Sequence, residues 1–109
     1  MWTVVDHPDA EAEFHRLGAQ DAAQVGNVIK KLQVSGPRLP YPHSSSVKGA
    51  NKLRELRPGA GRSVVRPLYR QIGSVFVIGA YGPEAQYDKK GFKKACRDAE
   101  ERLAEIEEK

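Results

Sequence analysis

Residues 52–80 read KLRELRPGAGRSVVRPLYRQIGSVFVIGA, and this stretch decides the fold. Three candidate strands, 52–57, 62–72 and 74–80, are separated by PGAG (58–61) and by the tight Gly73-Ser74 turn. Short runs joined by such turns predict three successive antiparallel strands. SVFVIGA is the most apolar and is expected at the centre of a sheet or well covered. Pro67 removes a backbone donor from the middle run, so it is expected at a bulge or on an unpaired side.

Upstream, GPRLPYPHSSSVKGAN (36–51) carries three prolines and three serines and is read as a loop without regular structure. Before it come two amphipathic segments. Ala10, Phe14 and Leu17 give one helical face, and Ala22, Val25, Val28 or Ile29, and Leu32 give another over 20–34. Gly18 and Gly36 mark the helix ends. WTVV (2–5) is a short strand stopped by Asp6-His7-Pro8-Asp9, with Pro8 in a first helical turn and Asp6 or His7 as the cap. Downstream, Phe92, Ala95, Cys96, Ala99, Leu103 and Ile106 form the apolar stripe of a final helix within 87–109. The order β-α-α-β-β-β-α predicts an α+β fold of two layers, a meander sheet on a helical hairpin with the first strand added at its edge. The second sheet face stays open unless the final helix covers it.

At 109 residues the chain is read as one domain, 1–109. No run approaches the ~20 apolar residues of a membrane span, and MWTVVDHP lacks the pattern of a leader peptide. One cysteine permits no internal disulfide and points to a reducing, cytoplasmic compartment. Net charge is +4, with the bases of the second half gathered between Lys48 and Arg97, which suits a polyanionic partner.

The charges of the final helix are sorted: Lys89, Lys90, Lys93, Lys94 and Arg97 precede Asp98, Glu100, Glu101, Glu105, Glu107 and Glu108. This order opposes the helix macrodipole, so the lysines are read as an anion site at the helix start, or else as a solvated face paired to nearby acids. Arg54, Arg57, Arg62, Arg66 and Arg70 crowd the three strands. Arg66 and Arg70 share a face with Leu68 by alternation. An arginine amid apolar strand residues needs a partner such as Glu55, or a wet groove. Together with the helix lysines the arginines are expected to converge on one anion-holding cleft. Tyr87 is placed to stack on a base or move a proton, or simply to pack. Tyr69 and Tyr81 read as core; His7 and His15 as structural or exposed; Tyr41 and His43 lie in the loop. No CxxC, HExxH, phosphate loop or Ser/His/Asp set is present, so neither a metal nor a cofactor is called for. Metal-free acid–base chemistry by Arg, Lys, Tyr and His or Glu remains, or plain binding.

LPYPHSSSVKG (39–49), LRELRP (53–58) and RSVVRPLYR (62–70), in that element order, resemble the RelE/ParE superfamily of toxin–antitoxin toxins, closest to its phage-derived, HigB-like branch. The resemblance implies a small, metal-free ribonuclease acting on mRNA at the ribosome, in which a base activates the ribose 2′-hydroxyl. It implies catalytic roles for Arg57, Arg66 and Tyr87 and RNA contacts from Lys48, Arg54, Lys89, Lys90, Lys93 and Lys94. It also implies a cognate antitoxin, a small helix-turn-helix protein, as partner. Segment 81–86 departs from the pattern, carrying no base where many relatives are basic. The alternatives are a ParE-like gyrase inhibitor and a non-catalytic module that binds antitoxin or RNA.

Overall fold

All three expected strands of the decisive stretch form, as β3 (Arg54–Leu56), β4 (Val65–Ile72) and β5 (Val75–Pro83). The computed structural model describes residues 1–50 and 52–108; the ends of the expected loop and final helix, Asn51 and Lys109, lie outside the described residues. Ahead of the stretch come β1 (Thr3–Asp6), α1 (Pro8–Phe14), α2 (Ala19–Ser35), a 3-10 turn (Gly36–Arg38) and β2 (Ser44–Ser46); α3 (Lys89–Glu107) follows it. The sheet order is β1-β5-β4-β3-β2, with β1 parallel to β5 and the other pairs antiparallel. The first strand thus adds at the edge beside the most apolar strand, which lies inside the sheet.

His7 starts α1: its Nδ1 accepts from the Asp9 amide at 3.1 Å, and Pro8 fills the first turn, where no backbone donor is needed. Gly18 and Gly36 bound α2. Its buried stripe of Val28 and Leu32 meets Leu56, Tyr69, Phe76 and Ile78 from the sheet. On the other face Ala95, Ala99 and Leu103 of α3 meet Leu53, Leu68, Val77 and Ala80. The last helix therefore covers the face that the sequence left open.

The β4–β5 pairing slips beside Pro67: Leu68 faces Ala80 while Tyr69 faces Ile78. Gly79 is the extra residue, so the bulge lies on β5 and the alternation of β4 continues through it. Leu68 and Arg70 point to α3 and Tyr69 to α2. The helix comes this close because β5 has little side chain there. A Cβ at Gly82 would stand 2.4 Å from the Ala95 Cβ, and one at Gly79 3.0 Å from Leu103 Cγ.

One expectation is corrected. The Pro/Ser-rich segment is not devoid of regular structure, because Ser44–Ser46 pairs with Leu56–Arg54 as an edge strand. Its stability comes from polar contacts that a hydrophobic pattern does not display. Ser44 Oγ lies 2.6 Å from the Tyr69 hydroxyl, and Arg54 reaches Ser44 Oγ at 3.1 Å and Ser46 Oγ at 3.0 Å. Among the described residues no helix is long and apolar enough to cross a membrane.

Candidate functional site

Strand β3 ends at a three-charge cluster. Glu55 and Arg57 lie two residues apart, and Arg57 Nη1 donates to Glu55 Oε2 at 3.2 Å. Arg66, one strand away, brings its Nε to 3.7 Å of the same oxygen. Arg66 is only 2% exposed, and its terminal nitrogens donate to the carbonyls of Ser63, Val65 (3.1 Å) and Gly61 (3.4 Å). The guanidinium thus ties the loop between β3 and β4 to the sheet. Among the described residues its Nε has no hydrogen-bond acceptor of its own. Burial lowers the Arg66 pKa; Glu55 opposes that shift and Arg57 adds to it.

Arg57 is the more accessible arginine. Its Nε donates to the Pro42 carbonyl at 3.1 Å, and its guanidinium carbon lies 4.9 Å from the centre of the Tyr41 ring. Gly61, at φ +95°, lets it close over the turn, since a Cβ there would stand 2.5 Å from Arg57 Nη2. Two depressions carry several bases each, and the cluster reaches the first of them through Arg57. One, of about 430 Å³, is lined by Arg57. The other, of about 420 Å³, lies between the 47–50 segment and the start of α3, with Phe92 and Cys96 in its wall and Lys48, Lys89, Lys93 and Arg97 around it. Burial, then the charges of Glu55 and Glu100, push the Cys96 thiol up to about 11.

The predicted site residues do not all converge. Arg57 and Arg66 share Glu55, while Lys48, Lys89 and Lys93 line the second depression. Arg54 is turned to the serines of β2. Arg70 is held by Glu100 and Glu107 of α3, both at 2.7 Å. Lys94 pairs with Asp98 at 2.8 Å, and Lys90 is exposed. Tyr87 is 70% exposed and lines neither depression; its amide donates to Glu84. The expectation of one cleft is therefore corrected to two separate groups, the Arg57–Glu55–Arg66 cluster at the first depression and the lysines around the second.

The charge order of α3 also acquires a cause. Three of its acids serve tertiary partners: Glu100 and Glu107 hold Arg70, and Glu105 lies 3.7 Å from His7; Asp98 approaches Arg102 within the helix. At the other end Asp88 caps the helix by accepting from the Gly91 amide at 2.9 Å. One amide of the helix start is thus already taken by this carboxylate, and Lys94 is paired to Asp98 while Lys89, Lys90 and Lys93 are exposed. Among the described residues Lys48, Lys89, Lys90, Lys93 and Arg97 have no carboxylate within 4 Å, and no group of His, Cys, Asp and Glu is placed to hold a metal ion.

Chemically, the cluster offers a carboxylate proton acceptor between two guanidiniums, one deeply buried and one at a rim, with uncompensated ammonium groups nearby. Sequence reasoning took Glu55 as a partner for one arginine and missed that it serves two. Lys31, which lines the first depression, was not singled out, and Arg62 beside it was counted only among the arginines expected to converge.

Comparison with solved structures finds the same fold. The free-state double arginine-to-alanine mutant of Escherichia coli toxin RelE matches with a TM-score of 0.63 at 15% identity, covering 88% of this chain and 95% of that one. The isolated E. coli RelE toxin matches at 0.62 and 15%, covering 86% and 98%. The archaeal RelE–RelB complex from Pyrococcus horikoshii matches at 0.56 and 16%, covering 78% and 97%. These likenesses establish a RelE-like fold. No curated protein matches the sequence. At the level of sequence families, the profile described as phage-derived protein Gp49-like (DUF891) matches residues 12–78, more than half of the chain, and the chain belongs to that family.

Proposed function

We propose that this protein is the toxin of a toxin–antitoxin pair, of the HigB-like branch, and cleaves mRNA on the ribosome without a metal. The observation that carries this reading is the Arg57–Glu55–Arg66 cluster, with uncompensated lysines beside it, on a fold shared with RelE toxins. Glu55 takes the proton of a ribose 2′-hydroxyl. The oxygen attacks the adjacent phosphorus, the bond to the 5′-oxygen breaks, and a 2′,3′-cyclic phosphate and a 5′-hydroxyl result. Arg57 neutralises the charge that builds on the phosphoryl oxygens. Arg66, sealed by three carbonyls, is a positioning residue that fixes Glu55 and the 61–65 loop. Exposed Tyr87 stacks on a base or passes the proton to the leaving oxygen. Lys48, Lys89, Lys90 and Lys93 hold the strand's phosphates; Lys94 and Arg54 do so after exchanging Asp98 and the serines for RNA.

The depression between Lys48 and Lys93 has apolar walls and a cationic rim, which suits an acidic, amphipathic segment of an antitoxin. That one solved neighbour is a RelE–RelB complex supports a protein partner of this kind.

The test is tightly controlled expression of wild type, Arg57→Ala and Glu55→Gln, with RNA ends mapped during translation. Growth arrest with new 5′-hydroxyl ends is expected for wild type. Arg57→Ala should lose about 100- to 1,000-fold in cleavage, the usual effect of removing one such donor. Intact mRNA in arrested cells, with a DNA-damage response, would transfer the protein to the gyrase inhibitors. Intact mRNA without arrest would leave a binding module.

A further inference from the structure

The first depression is a notch between the middle of α2 and the turn after β3. Six polar residues line it: Gln24, Asn27 and Lys31 from one stripe of α2, and His43, Arg57 and Arg62 opposite. Buried Val28 also contributes to the wall, so the pocket is part apolar. Like the depression beside α3, it is lined by bases alone among its charged groups. Three lining residues are permanently cationic and none is acidic. Asp21, on the first turn of α2, is engaged by Ser63 Oγ at 3.4 Å and does not line the notch. Among the described residues the side chains of Gln24, Asn27, Lys31, His43 and Arg62 make no hydrogen bond to protein and no ion pair, and only Arg57 is engaged. Elsewhere the protein matches inward-facing bases to carboxylates, as at Arg70 and Arg102. Five polar side chains without a protein partner, two of them permanent cations, thus border a volume of about 430 Å³, a lining that suits an anion with several acceptor oxygens.

We propose that this notch binds a phosphate group, with Lys31 and Arg62 as its charged jaws and Gln24, Asn27 and His43 completing the contacts. It is distinct from the depression beside α3, and its occupancy does not depend on strand cleavage. The phosphate has two sources of the same chemistry, a phosphodiester of single-stranded RNA and a free nucleotide. The turn itself brings backbone close to the ligand, because Gly59 and Ala60 both adopt left-handed conformations (φ 63° and 56°) at the notch wall.

The experiment uses the full chain labelled with 15N, titrated separately with inorganic phosphate, 5′-AMP and a short single-stranded oligoadenylate RNA. Saturable shifts are expected at the amides of Gly59, Ala60 and Arg62. In the Lys31→Ala/Arg62→Ala double variant the dissociation constant should rise by about tenfold. For the oligomer the salt dependence should flatten by about 0.7 in log–log slope for each phosphate contact removed. Both substituted side chains are exposed, so an unchanged thermal melt should accompany the loss. An oligomer binding at least about tenfold tighter than 5′-AMP assigns the site to RNA; equal affinities assign it to a free nucleotide. Absence of saturable shifts at the turn with all three ligands, or an unchanged dissociation constant in the double variant, would overturn the proposal. Loss of the nuclease reading alone, with mRNA intact in cells, leaves these shifts in place, so the two failures are told apart.

Discussion

Arg66 Nε stands 3.7 Å from the same Glu55 oxygen that accepts from Arg57. One carboxylate thus compensates two guanidiniums, one of them almost wholly buried. Removing a single partner from such a cluster strands the remaining charge at a cost of about 3–5 kcal/mol when it is fully buried. Arg66→Ala also deprives three backbone carbonyls of their donor. It should lower unfolding stability by about 3–5 kcal/mol in urea titration. Arg57→Ala, at the rim, should lower it by about 1 kcal/mol. A toxicity assay on Arg66→Ala alone would therefore confuse misfolding with lost chemistry, and Arg57 is the residue to substitute. Equal stability losses in the two variants would contradict the division between a positioning and a substrate-facing arginine.

Gly82 is required by contact with the helix. A methyl group there would lie 2.4 Å from the Ala95 Cβ, well inside any van der Waals separation. Gly82→Ala should destabilise by about 1–3 kcal/mol, the range for overpacking a filled core. Ala95→Gly in the same chain removes the opposing atom and should restore part of the loss, beyond the helix penalty of about 1 kcal/mol that glycine brings. A double-mutant cycle in guanidinium measures this coupling. Additive losses would mean that α3 and β5 do not meet at this pair.

The edge strand β2 shows where sequence reading stopped. Its three serines have no hydrophobic alternation, so nothing local announces a strand; Tyr69 and Arg54 hold it in place through hydroxyls. Tyr69→Phe removes the 2.6 Å contact to Ser44 while keeping the ring in the core. It should cost about 1 kcal/mol globally. Amides of β2 should exchange faster by a larger factor than those of β4 and β5. Uniform acceleration across the sheet would show that the hydroxyl does not anchor this strand in particular.

Elsewhere much of the fold was legible. Three runs with two turn signals gave the meander, Gly18 and Gly36 gave the ends of α2, and Pro67 gave the neighbourhood of the bulge. The site was legible only in part. LRELR and RSVVRPLYR drew attention to Arg57 and Arg66, but convergence of all the bases was not met, because ion pairs form between elements distant in sequence. Arg70 lies thirty residues or more from Glu100 and Glu107, and no spacing rule connects them. The notch was missed for the same reason, since its walls come from α2, the loop and the turn. Its one local trace is the polar stripe of Gln24, Asn27 and Lys31 alongside the apolar stripe of α2.

Cys96 provides a chemical probe of Glu55. Its thiol, pushed up to about 11 by burial first and then by Glu55 and Glu100, should be a poor nucleophile near neutrality. Alkylation by iodoacetamide at pH 7.5 should run about 30- to 100-fold slower than in urea-unfolded protein, as a smaller thiolate fraction dictates. Glu55→Gln removes one of the charges opposing the thiolate and should speed the reaction in the folded state. Folded and unfolded rates that coincide would place Cys96 in open solvent, away from the depression it lines.

Asp6 makes a pH prediction whose sign follows from its surroundings. Burial raises its pKa from 3.8, while the hydrogen bond from the Tyr81 hydroxyl, at 2.9 Å, works in the opposite direction. The folded protein therefore holds the Asp6 proton more tightly than the unfolded chain does. The stability contributed by protonated Asp6 is complete below the unfolded value and is lost as pH rises through the folded one. Asp6→Asn retains an acceptor for Tyr81 but carries no charge, so it supplies a reference without this dependence. The stability of wild type relative to Asp6→Asn should rise as pH is lowered from 7 to below 3.8, when both are measured by urea unfolding. A relative stability that falls over that interval would mean that the Tyr81 hydroxyl, and not desolvation between β1 and β5, dominates the Asp6 carboxylate.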